Sequence, residues 1–132
     1  MRAALVAVLA LATSADGAND VMIRNQIRAR AYAYIARIAP GVVRRVFIEI
    51  VPLEDMPMAG LIATTAREPE GCFLRFTPRA LALPNDEAVK HEAAHCALDY
   101  DVLSDTGYRH GTPRREIAWR EARAASIGRG LR

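Results

Sequence analysis

Pro84-Asn85-Asp86-Glu87-Ala88-Val89-Lys90-His91-Glu92-Ala93-Ala94-His95-Cys96-Ala97-Leu98 is the stretch on which the reading of this chain turns. Its first four residues read as a helix start, with Asn85 as the cap and two acids in the first turn, where negative charge complements the helix dipole. The helix is expected to run to about Leu98. His91 and His95 stand four apart, so both imidazoles project from one helix face and can bind a single metal ion, with Glu92 beside that face. In an H-E-x-x-H arrangement the glutamate binds no metal; it takes a proton from an activated water as that water attacks a carbonyl. Five such residues can arise on any helix with two histidines, so the surrounding chain decides how much they mean.

Downstream, Tyr100 to Arg109 is polar, carries Gly107 and reads as a loop. Thr112 as cap and Pro113 at the first helical position then open a last helix that Gly128 closes, with Ile117, Trp119 and Ala124 read as its core residues. Upstream, Val46 to Val51, Leu61 to Thr65 and Cys72 to Phe76 read as strands, separated by turn signals at Pro52 to Pro57 and by a hairpin loop at Arg67 to Gly71. Ahead of them Ile23, Ile27, Ala31, Tyr34, Ile35 and Ile38 recur at helical spacing, and Pro40-Gly41 ends that pattern. The order helix, strands, helix, loop, helix predicts an α+β domain: a small, three-stranded, mostly antiparallel sheet covered by helices on one side.

The third histidine, His110, follows His95 after fourteen residues that can fold back towards the helix. Three protein ligands and one open position make a catalytic zinc site. This segment, from His91-Glu92-Ala93-Ala94-His95 to His110-Gly111 and a following helix, resembles the SprT-like zinc metallopeptidases, over roughly residues 20 to 127. The resemblance implies a zincin-like minimal metallopeptidase domain, with His91, His95 and His110 as zinc ligands and Glu92 as general base. The implied activity is hydrolysis of peptide bonds in a peptide or protein substrate by zinc-activated water. The chain departs from that family at Thr112-Pro113-Arg114-Arg115, where a proline, an acid and an aromatic are common, and it has no cysteine-rich ribbon.

Other third ligands compete with His110: Glu116 and Glu121 on the last helix, as in the gluzincin class, and Asp105, as in aspzincins. His110 is favoured, because a neutral imidazole suits zinc. Asp99, one turn beyond His95, can hold that imidazole by a hydrogen bond, and Tyr108 can donate to the oxyanion that develops on the attacked carbonyl. An extended substrate could pair with an edge strand near Leu61 to Thr65 or Cys72 to Phe76. Two readings of other classes stand beside the peptidase: a catalytically inert zinc- or nucleic-acid-binding module, and a non-peptidase zinc hydrolase of small amides.

The chain has 132 residues, enough for one domain with a core and too few for two of ordinary size. Its formal charge is +3, carried almost wholly by arginine, since Lys90 is the only lysine. Arg114, Arg115, Arg120, Arg123, Arg129 and Arg132 crowd the C-terminal segment, where weak contact with nucleic acid is conceivable; with Trp119 assigned to the core, no aromatic remains to stack on bases, and a solvated helix face is favoured. Residues 1–18 resemble a secretory signal peptide, with Arg2, the apolar run Ala3 to Ala12 and a cut after Ala15 or Ala18. Export to a periplasm or the medium is the resulting expectation, and an alanine-rich helix on a cytoplasmic protein is the alternative. That run is too short to span a bilayer, so residues 19–132 form the expected metallopeptidase domain. Cys72 and Cys96 are read as buried free thiols, not a disulfide.

Overall fold

The computed structural model gives the backbone from Arg2 and describes side chains from residue 19 onward. The signal-like segment at residues 1–18 lies outside the residues so described. The elements are α1 (Arg2–Ile38), β1 (Val46–Ile50), β2 (Ala63–Glu68), β3 (Gly71–Phe76), α2 (Pro78–Leu81), α3 (Glu87–Leu98), β4 (Leu103–Ser104), β5 (Gly107–Tyr108) and α4 (Arg114–Gly130). The described residues are thus α+β, with four helices and a small mixed sheet. No helix among the described residues is long and apolar enough to cross a membrane.

The sheet runs β1-β3-β2 and is mixed. β2 and β3 form the expected hairpin, Ala63 opposite Phe76 and Glu68 opposite Gly71. β1 instead lies parallel to β3, Val46 beside Cys72 and Ile50 beside Phe76, so the expectation of a mostly antiparallel sheet is corrected. β3 is therefore the central strand, and Cys72 to Phe76 offers no free edge; Leu61 to Thr65 leads into the strand at the sheet's border. Gly71 makes the parallel pairing possible. Its φ is +155°, and a Cβ there would collide with the carbonyl oxygen of Arg45, which accepts from the Cys72 N–H at 2.7 Å.

The core lies between sheet and helices. Ile27, Ala31 and Ile35 of α1, Leu74 and Phe76 of β3, and Val89, Ala93 and Cys96 of α3 close on one another. The spacing of four on α1 and of two on β3 is what delivers these side chains to one side of each element. The Val46 N–H donates to the Tyr32 hydroxyl at 2.8 Å, which ties β1 to α1. Cys72 and Cys96 are joined in a disulfide, Cα atoms 5.9 Å apart, contrary to the reading of free thiols. The bridge staples the central strand to the helix that carries His91 and His95, one residue past His95.

Local expectations at the helix ends and after Tyr100 are also corrected. Asn85 does not cap α3: Asn85 and Asp86 both take left-handed backbone, φ 58° and 55°, and Asp86 occupies the cap position without a side-chain cap bond. The Asp86 carboxylate is engaged elsewhere, accepting from Arg30 at 2.9 Å and from the Tyr34 hydroxyl at 2.7 Å. Pro113, not Thr112, precedes α4, which runs to Gly130; Gly128 lies inside it, buried against the backbone of His91 and the side chain of Lys90. Finally, part of the expected loop after Tyr100 forms the β4–β5 hairpin, with Leu103 opposite Tyr108.

Candidate metal centre

α3 and α4 pack side by side, and that packing assembles the site. His91 and His95 project from α3 as their spacing requires, and their Nε2 atoms are 3.1 Å apart. Glu121 comes from α4: its Oε2 is 3.1 Å from His91 Nε2 and its Oε1 3.0 Å from His95 Nε2. His91, His95 and Glu121 form the group among the described residues whose donor atoms converge as metal ligands would. In a tetrahedral zinc site with bonds near 2.0–2.1 Å, two donor atoms lie about 3.3 Å apart. The two imidazole nitrogens stand close to that separation, each meets its own oxygen of the Glu121 carboxylate, and one donor atom from each of the three residues lies within 4.8 Å of the other two. Two imidazoles and one carboxylate are also a donor set zinc accepts. The residues therefore fit a metal ion.

His95 is held from behind. Its Nδ1–H donates to Asp99 Oδ2 at 2.7 Å, which leaves Nε2 directed at the triangle. Asp99 has only 1% of its side chain exposed and accepts at Oδ1 from Arg120 and Arg123, both at 2.6 Å. Burial opposes ionisation of Asp99, but the bonds from His95 and Arg120 win and hold its carboxyl below the usual range. Burial likewise opposes charge on His95, yet bonds to Asp99 and Glu121 push the metal-free imidazole up to about 10. The Glu121 carboxyl, although partly buried, is held well below its ordinary value by bonds from His91 and His95.

Glu92 is buried beside the triangle without being part of it. Burial is the largest influence on its carboxyl and pushes its pKa up, against the opposing pull of His95 and of the Thr65 hydroxyl. That hydroxyl, from β2, donates to Glu92 Oε2 and so orients it. The Tyr108 hydroxyl donates to Glu121 Oε1 at 2.8 Å, and burial together with that bond raises its pKa well above the ordinary phenol range. Glu92, His95, Tyr108 and Glu121 line a common cleft of about 370 Å³.

The residues singled out in the sequence thus divide. His91, Glu92, His95, Asp99 and Tyr108 are brought together. His110 is not: it is exposed, outside the ligand group, on a segment whose Arg109 N–H donates to the Val102 carbonyl at 2.8 Å. The third place is taken by Glu121, one of the competing acids; Asp105 is exposed, and Glu116 pairs with Arg120 at 2.8 Å. The signal for Glu121 was present, since Ile117, Glu121, Ala124 and Gly128 fall at helical spacing on one stripe of α4. Trp119 lies off that stripe and is 57% exposed, so its assignment to the core is corrected. The Arg123 guanidinium covers its ring at 4.5 Å. Arg120 and Arg123 turn inward to Asp99, which removes two arginines from any phosphate-binding face. Comparison of the chain with protein-family models, with curated proteins and with solved structures found no match.

Proposed function

We propose that this chain is a zinc-dependent peptidase of zincin-like build, with His91, His95 and Glu121 holding the ion and Glu92 acting as general base. The observation that carries the reading is the pairing of a three-donor triangle with a buried, non-ligating carboxylate immediately beside it. Structural zinc sites close with four ligands rich in cysteine, whereas three ligands and an open corner are the composition of a catalytic one. Here both cysteines are spent on the disulfide. Bound zinc would supply Lewis acidity, polarising a carbonyl and acidifying water.

The chain's own groups would do the rest. Glu92 accepts a proton from water at its carboxylate and returns it to the departing amine nitrogen; a carboxyl raised by burial is better matched to both tasks near neutral pH. Thr65 keeps the carboxylate aimed. Tyr108, whose hydroxyl donates to Glu121 in the metal-free chain, lines the same cleft and would donate to the carbonyl oxygen only on leaving that bond. β2 borders the sheet, and although the β4–β5 hairpin packs against it, a cleft remains between Ala63–Thr65 and Leu103, Gly107 and Tyr108, where an extended chain would align.

The test pairs zinc content with turnover on unfolded protein substrates. Wild type and Glu92→Gln should each hold about one zinc, while turnover in Glu92→Gln falls about 10²–10⁴-fold, the usual worth of a general acid–base. Unchanged turnover would remove Glu92 as the base; no bound zinc after reconstitution would remove the reading itself.

A further inference from the structure

A second cleft of about 290 Å³ adjoins the first, and Leu61, Ala63, Glu92 and Glu121 line both. The two clefts thus lie on either side of shared walls beside the donor triangle, next to β2. Clefts on both sides of the reacting centre suit an extended chain better than a compact amide. The two clefts differ. The larger cleft, between β2, the β4–β5 hairpin and α4, is walled by Pro57, Met58, Leu61, Leu103 and Ile117, and its only ionisable members are Glu92, His95, Tyr108 and Glu121. No lysine or arginine is among them.

Apart from an ion held at the triangle itself, an acidic side chain entering there would meet two carboxylates and no lysine or arginine. A basic one would leave water for an apolar wall and compete for carboxylates that hold the metal and move the proton. An apolar side chain meets neither penalty, and about 370 Å³ lies in the lower part of the range of roughly 300–1,000 Å³ for ligand pockets, room for one large side chain with its backbone. We infer that this cleft is the specificity subsite, receiving a large apolar side chain, such as leucine, methionine or phenylalanine, from an extended polypeptide at a residue flanking the bond that is cut. The inference rests on the peptidase reading above. Ile117 and Leu61 shape the wall. Met58, 67% exposed at the lip, can be changed without disturbing the core.

The experiment is product profiling by mass spectrometry, with the zinc-reconstituted full chain acting on a denatured protein mixture. Large apolar residues should flank the cut at least about tenfold more often than acidic ones. Ile117→Ala should lower kcat/KM for phenylalanine-bearing peptides about tenfold, and Met58→Arg should raise acceptance of acidic residues by a similar factor. A profile without apolar preference, or one that Met58→Arg leaves unaltered, overturns the subsite. A parallel binding arm separates the two ideas: the chemical shift of the Met58 methyl is followed while blocked Leu- or Asp-containing tripeptides are titrated into the zinc-loaded chain. Selective response to the leucine peptide with no cleavage of any substrate would sink the peptidase and leave the cleft's apolar selectivity standing as a binding property alone. Absence of both selectivity and cleavage overturns both.

Discussion

His91 and His95 are the same residue on the same face of one helix, yet their surroundings are unlike. The His95 ring is 5% exposed and is gripped through Asp99, which two arginines from α4 grip in turn. The His91 ring is 26% exposed and meets only His95 and Glu121. The cause lies one turn on. Four residues after His95 stands Asp99; four residues after His91 stands His95 itself, and Glu87, four residues before His91, makes no hydrogen bond to it among the described residues. One half of the centre is thus fixed before any ligand arrives, and the other half can adjust when one does. Fixing a ligand in advance lowers the ordering cost of binding, while a partly exposed partner keeps an entry path open.

The sharpest way to break this contrast is Asp99→Ala. It takes the acceptor from Arg123 and from the Nδ1–H of His95 and leaves Arg120 with Glu116 alone, and losing one partner of a buried ionic network costs about 3–5 kcal/mol. Zinc affinity should fall about 10–100-fold with it, the usual effect of removing the group behind a ligating histidine. Urea unfolding and zinc titration would measure the two losses. If neither changes, the grip on His95 carries no energy and the contrast is one of appearance.

The pH dependence of the metal-free chain sharpens the contrast with a smaller effect. His95 is raised from 6.5 to about 10 on folding, so its contribution is complete below pH 6.5 and is lost as pH rises through about 10. Asp99 is lowered, so its contribution is present above the ordinary carboxylate range and is lost as pH falls through its depressed value. Metal-free stability should therefore peak from about pH 5 to pH 6.5 and decline on both sides. Thermal unfolding across pH would show it, and a flat alkaline limb would contradict the assigned hold on His95.

The smallest effect is expected where the loosely held side would have to recruit another ligand. His110→Ala should leave zinc stoichiometry and affinity unchanged, whereas Glu121→Ala should lower both. Mass-spectrometric metal content separates them, and loss of zinc from His110→Ala would mean that the adaptable half reaches further than its ground arrangement.

How much of this could be read from the chain alone follows the range of the interaction. The strand runs, the hairpin between β2 and β3, and the partnership of His91, Glu92 and His95 are set by spacing within one element, and the sequence displays spacing directly. So is the bond from His95 to Asp99. The parallel placement of β1 was not legible, because β1 carries no local mark of which strand it will pair with. The disulfide was missed for the same reason: that Cys72 and Cys96 face each other depends on how β3 lies against α3. Glu121 was visible as a candidate but ranked below His110, since the choice rests on the approach of α4 to α3. Histidine was counted as a better ligand type, yet the hold on Arg109 leaves the next residue in solvent. Trp119 shows the converse error, a residue judged by its apolar character when its angular position on α4 faces outward.

Gly71 bears on how chains of this build could be recognised. It is the point where β1 is admitted beside β3, and any side chain there would meet the Arg45 carbonyl, so the position is legible only as the letter G. A search pattern built on the histidines alone would gather every helix with that five-residue motif. One that begins twenty positions earlier, with Gly71-Cys72, and then requires His91-Glu92, His95-Cys96, Asp99 and Glu121, would demand the scaffold together with the chemistry. The residue with no side chain would then add discrimination of a kind that the residues of the candidate metal centre do not carry.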